Sequence, residues 1–154
     1  MRHLLFIASL LMATAASAGT DKLFSRKGPL KLDASAAPAL FRQCSRDAPT
    51  PKGKVWLPSP SEIATLQRQL IAHLQRSGNM VRLQPDAEYR GQYAAFRDGK
   101  EIKIYAAFVA AAGALPLEDD GQAQVWCDGG SQSWGIVYWS RRGSFQDFRI
   151  NGNA

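Results

Sequence analysis

The apolar residues of this chain change their spacing once, near Gly78, and that change constrains the fold more than any other feature. Before it, Ile63, Leu66, Leu70 and Leu74 recur at intervals of three and four, which puts them on one stripe of an α-helix. Thr65, Arg68, Gln69 and Arg76 fall on the remaining faces. The helix also has a defined start. In Ser59-Pro60-Ser61-Glu62 the serine can cap free backbone N–H groups, proline suits the first helical position, and glutamate completes a capping box. Gly78 supplies the stop.

Beyond Gly78 the period is two. Tyr89, Gly91, Tyr93 and Ala95 share one side of an expected strand, and Glu88, Arg90 and Gln92 share the other. Asp98-Gly99 is a hairpin signal that leads into Glu101 to Ala111, where Ile102, Ile104, Ala106 and Phe108 alternate with Glu101, Lys103 and Tyr105. Gly113 to Gly121, with Pro116 and Glu118-Asp119-Asp120, reads as a solvated loop. A third strand is expected over Gln122 to Cys127, followed by a glycine turn at Asp128-Gly129-Gly130-Ser131 and a strand from Ser133 to Ser140. Arg142-Gly143 then permits a last reversal into Ser144 to Ile150. These elements predict an α+β fold: one helix packed on a curved antiparallel sheet of four to five strands, cystatin-like or related.

The front of the chain speaks to compartment. Arg2, the apolar run Leu4 to Met12 and the small residues Ala16-Ser17-Ala18 have the order of a cleaved signal peptide, with cleavage expected near Ala18. The run is shorter than the roughly 20 apolar residues that span a bilayer, so no transmembrane segment is expected after cleavage. The resulting organisation is a signal peptide at 1–18, an N-terminal arm at 19–53 and a single α+β domain at 54–154, located in the periplasm or secreted. Pro49-Thr50-Pro51-Lys52-Gly53 separates arm from domain. The two cysteines, Cys44 and Cys127, are expected to form a disulfide there, tying the arm to the later strands. Without Arg2 the chain keeps 18 Lys and Arg against 13 Asp and Glu, a formal +5, which favours acidic partners: outside the cytosol, phosphorylated lipid headgroups, anionic glycans or an acidic protein surface more readily than nucleic acid.

No catalytic set stands out. The one histidine beyond the leader, His73, sits at the edge of the helix stripe, and a nucleophile needs a base placed against it. Glu118-Asp119-Asp120 lacks the spacing of a calcium loop, and with the cysteines bonded neither a metal site nor a cofactor is expected. Glu88, Glu101 and Asp128 are candidate carboxylates for glycan hydrolysis, with nothing local that sets their separation.

Aromatic residues are the departure from a plain domain. Alternation puts Trp126 and Trp139 on one sheet face, near Arg90, Lys103, Tyr105 and Arg141, as an aromatic and basic binding surface. The competing expectation is that the arm covers these rings, pinned by Cys44 and Cys127. On the opposite face, Tyr89, Tyr93, Ile104, Phe108 and Trp134 are candidates to line a pocket between helix and sheet.

Gln43-Cys44-Ser45-Arg46, Trp56-Leu57-Pro58-Ser59, Trp126-Cys127-Asp128-Gly129-Gly130, Trp134-Gly135, Phe148 and Asn151-Gly152 together resemble a family of small uncharacterised exported proteins of Gram-negative bacteria. The resemblance implies a periplasmic location and the disulfide, and brings no activity with it. The leading expectation is a non-enzymatic domain that binds a periplasmic protein, an inhibitor or immunity-type protein being its specific form. A carrier or sensor of a small anionic or apolar ligand is the alternative, and a carboxylate-dependent glycan hydrolase the third.

Overall fold

The computed structural model describes residues 23–113 and 117–152. The expected leader and its cleavage point lie outside them. Strands β1 (Val55–Trp56), β2 (Tyr89–Asp98), β3 (Glu101–Ala110), β4 (Ser133–Trp139) and β5 (Ser144–Ile150) form one antiparallel sheet in chain order, and helix α1 (Pro60–Arg76) lies between β1 and β2. This is the expected α+β arrangement of one helix on a curved, open sheet.

Helix α1 begins where the capping box places it. The Glu62 amide donates to Ser59 Oγ at 3.3 Å, and the Ser59 amide donates to Glu62 Oε2 at 2.8 Å. Leu66, Leu70 and Leu74 are fully buried on the sheet, among Tyr89, Tyr93, Ile104, Phe108, Trp134, Ile136 and Tyr138. The β2–β3 hairpin pairs from Tyr89↔Ala110 to Asp98↔Glu101, with Gly99 at φ 59° in its tight turn. Between β4 and β5 the pairing shifts from Val137↔Gln146 to Gly135↔Arg149, because Asp147 adopts φ 55° as a bulge. The bulge lets Phe145 and Phe148, three residues apart, both enter the helix-side core.

The second sheet face is covered as well, which adds a third layer to helix and sheet. Leu32, Ala36, Ala37 and Leu40 of the arm pack on Ala94, Phe96, Tyr105, Ala107 and Val137. Phe41 stacks on Tyr105 at 5.5 Å and meets Phe96 edge-on at 5.4 Å. The disulfide Cys44–Cys127 is formed, with its Cα atoms 5.2 Å apart.

Two expectations need correction. The two-residue strand β1 falls between the breaker cluster and the helix cap, where no strand is expected from the sequence. Residues 122–127 are not a strand. They cross the arm-side face, and sheet side chains satisfy their backbone instead of a ladder. Buried Gln92 donates through Nε2 to the carbonyls of Gln122 (2.7 Å) and Lys31 (2.8 Å) and accepts from the Gln124 amide (2.7 Å). Buried Asn151 donates through Nδ2 to the carbonyls of Trp126 and Asp128.

Candidate functional site

Cross-strand register puts Phe96, Lys103 and Trp139 in one row on the arm-side face, and Ala94, Tyr105 and Val137 in the next. The arm packs over these rows, on Ala94, Phe96, Tyr105 and Val137. There a cleft of about 530 Å³ lies between the chain at Asp47–Lys52 and the sheet. Half-buried Ala48 and Pro49 give it apolar contacts, over a floor of buried Phe96, Tyr105 and Val137. Lys52, Arg97, Lys103 and Arg149 line it together with Asp47, Asp98 and Asp147.

The charges in the cleft are only partly matched. Lys103 Nζ contacts Asp98 Oδ2 at 2.6 Å, and this hydrogen bond, then the lysine charges at 103 and 52, hold the Asp98 carboxyl below the usual carboxylate range. Among the described residues, Lys52, Arg97, Arg149, Asp47 and Asp147 have no ion-pair partner within 4 Å. Lys103 also lies 3.9 Å from the ring centre of Trp139, and Arg142 approaches the same ring to 4.3 Å while pairing with Glu101 at 3.2 Å. One half-buried indole therefore holds two cations at the hairpin end of the sheet.

Arg46 anchors the cleft from the arm side. Its guanidinium donates to Tyr105 Oη (3.1 Å), Ser133 Oγ (2.9 Å) and Asn151 Oδ1. Ser45 adds two bonds: its carbonyl accepts from the Gly152 amide and its hydroxyl from the Asp128 amide. Burial pushes the Tyr105 hydroxyl's pKa up, opposed by the charge and hydrogen bond of Arg46. Gly135 leaves the room this tyrosine needs, since a Cβ there would stand 2.6 Å from Tyr105 Oη.

The structure splits the six residues expected to form a binding surface. Lys103 and Tyr105 line the cleft, and Trp139 stacks beside it. Tyr105 is nonetheless only 1% exposed, because the arm lies over it. Arg90 is 7% exposed: it donates to the carbonyls of Gly28 and Pro29 and pairs with Asp119 at 2.8 Å, so it fastens the arm and offers nothing to a partner. Trp126 sits on the crossing segment, held through its carbonyl near the Ser133 end of β4, whereas Trp139 is at the other end, roughly 20 Å along the strand. Arg141 is exposed in the β4–β5 turn, and its neighbour Arg142 makes the stacking contact.

The five residues expected to line a pocket under the helix fill that space instead. Phe108 stacks on Trp134 at 4.1 Å, Tyr89 meets Trp134 edge-on at 5.6 Å, Tyr93 meets Phe108 edge-on at 5.8 Å, and Ile104 is fully buried. Burial raises the pKa values of Tyr89 and Tyr93, whose hydroxyls are bonded to Gln84 and Ser131 and to Gln67.

Nor does Glu101 meet the other two candidate carboxylates. Glu88 and Glu101 flank opposite ends of the β2–β3 hairpin, about 30 Å apart at the rise of a strand, where glycoside hydrolysis needs two carboxyls within about 10 Å. Asp128 is at the Ser133 end, far from Glu101. His73 stacks 5.0 Å from Phe145, with its pKa lowered by burial and by Arg76. Among the described residues no three His, Cys, Asp or Glu side chains gather as a metal site, and no helix is long and apolar enough to cross a membrane.

Sequence reasoning missed Arg46, Asp47, Lys52 and Arg149 as site residues. Arg46 was visible only as part of Gln43-Cys44-Ser45-Arg46, and the other three are isolated charges whose meeting depends on where the arm crosses the sheet. Comparison with protein-family models, curated proteins and solved structures finds no match for this chain.

Proposed function

We propose that this protein is a non-enzymatic binding domain of the periplasm that holds a segment of a protein partner in the cleft between arm and sheet. The observation that carries this reading is the cleft itself: an open site of about 530 Å³ with apolar contacts from half-buried Ala48 and Pro49 and with unpaired charges of both signs. A peptide segment offers both an apolar body and charges of both signs, and Trp, Tyr and Arg are enriched where such contacts are made. An inhibitor or immunity-type role is the specific form of this reading. The expected leader, the disulfide and the formal +5 accompany it.

The test uses Gly19 to Ala154 as bait in periplasmic extract, with the Lys52→Glu, Arg149→Glu double variant as control. Both side chains are exposed, so the fold should survive. A one-to-one complex in native mass spectrometry that the variant loses supports the reading; a complex retained by the folded variant refutes the cleft. A small ligand is the second reading, because the volume lies within the roughly 300–1,000 Å³ of ligand pockets. It predicts a bound mass of a few hundred daltons in place of a protein.

A further inference from the structure

The wall of the cleft, residues 47–54, is fastened mainly at its ends, with the small side chain of Ala48 its one contact with the arm-side core among the described residues. Outside the β1 ladder, none of the hydrogen bonds among the described residues involves it. Downstream it is gripped where Val55 pairs with Phe96. Upstream the last deeply buried arm residue is Leu40, and from Arg42 onward the chain is irregular. The upstream grip is therefore the short stretch Cys44-Ser45-Arg46: the disulfide, two bonds at Ser45 and three from Arg46. Cys44 is three residues from Asp47, the first residue of the wall. Its partner Cys127 lies on the crossing segment that Asn151 and Gln92 hold to the sheet. Both half-cystines are exposed, and neither lies in a helix or strand.

We propose that the Cys44–Cys127 bond is a thiol-accessible latch on the cleft: an external dithiol that opens it releases the wall and removes the binding site, while helix and sheet stay folded. The proposal rests on the cleft being the site where the partner binds. In the chemical step, a thiolate of the dithiol attacks one protein sulfur and expels the other as a thiolate, leaving a mixed disulfide. The second thiol of the reagent then displaces the remaining protein sulfur. The protein gains two electrons and two protons, and the dithiol leaves as its own disulfide. Without the bond, the upstream end is held by the hydrogen bonds of half-buried Ser45 and Arg46, each of which water can replace.

Release can be read without any partner. Arg46 is engaged with Tyr105, Ser133 and Asn151, so trypsin reaches the Arg46–Asp47 bond only when this stretch lifts, whereas Arg90 in β2 is cut only if the sheet opens. The oxidised protein is compared with protein reduced by dithiothreitol and blocked with iodoacetamide, and with the Cys44→Ser, Cys127→Ser variant, which needs no reductant. The expected result is reduction of the folded protein, then cleavage after Arg46 at least tenfold faster in both unlatched forms, with Arg90 uncut and the far-UV spectrum retained. Three results overturn the proposal: a folded protein whose disulfide resists the dithiol, unchanged cleavage after Arg46, or cleavage at Arg90 rising in step. Because the readout is a cut in the free protein, failure to capture a partner strikes the binding reading alone.

Discussion

Replacing Gln92 with leucine tests whether the arm and the crossing segment are held by this one side chain. Gln92 is 2% exposed in the middle of β2 and joins three backbone groups from two segments: the carbonyls of Lys31 and Gln122 and the amide of Gln124. Leucine is one bond shorter but no smaller in volume, so the substitution leaves little cavity and the polar loss dominates. Each backbone group left buried without a partner costs about 1–3 kcal/mol, so three of them cost roughly 3–6 kcal/mol after partial rescue by water. That is a large share of the 5–15 kcal/mol that holds a domain together. With a urea slope of about 2 kcal/mol per molar, the unfolding midpoint should fall by about 2 M. Urea titration followed by far-UV circular dichroism measures it. A midpoint lowered by less than about 0.5 M, equivalent to about 1 kcal/mol, means that water or other donors serve these backbone groups, and the argument for Gln92 fails.

Gly135→Ala places a methyl group against the Tyr105 ring under the arm and should cost about 1–3 kcal/mol, seen as a lower urea midpoint; an unchanged midpoint means the ring has room to move. Ser59→Ala removes one half of the capping box and should cost about 1 kcal/mol, measured as a fall in melting temperature. Asp119 is held below the usual carboxylate range by the Lys31 amide and then by Arg90, so its contribution is present above that range and lost as pH falls through it. Urea midpoints of the parent protein should therefore drop between pH 5 and pH 2 more steeply than those of Asp119→Asn, and parallel curves refute this role. Trp139→Ala removes the ring that Lys103 and Arg142 share, and should weaken partner capture through the cleft while leaving the circular dichroism spectrum unchanged.

Local chemistry made much of the fold legible. Ser59 and Glu62 act on backbone groups within three residues, and the Asp98-Gly99 hairpin needs only its own turn, so both could be read directly. Residues 122–127 alternate like a strand, but a strand also needs a neighbour, and Gln92 and Asn151 supplied side-chain partners that no local pattern announces. The spacing of Phe145 and Phe148 contradicts a period of two until Asp147 is known to be a bulge. The candidate site was the least legible part. Alternation correctly put Arg90, Lys103, Tyr105 and Trp139 on one face, yet it says nothing of what lies over that face. Whether Arg90 is a buried clamp and Lys103 a cleft residue depends on the path of the arm, set by Leu32, Leu40 and the disulfide.

The bulge at Asp147 bears on how copies of this molecule meet. β5 is the longer of the two border strands of the sheet, and the outward-facing half of its backbone groups is a template onto which a second copy can add its own strand. The left-handed turn at Asp147 interrupts the regular spacing of amides and carbonyls along that border after three residues, and charged Arg149 stands just beyond it. A strand arriving from outside finds too short a run in either half to dock in register, so the residue that brings two phenylalanines into the core also guards the protein against edge-to-edge aggregation.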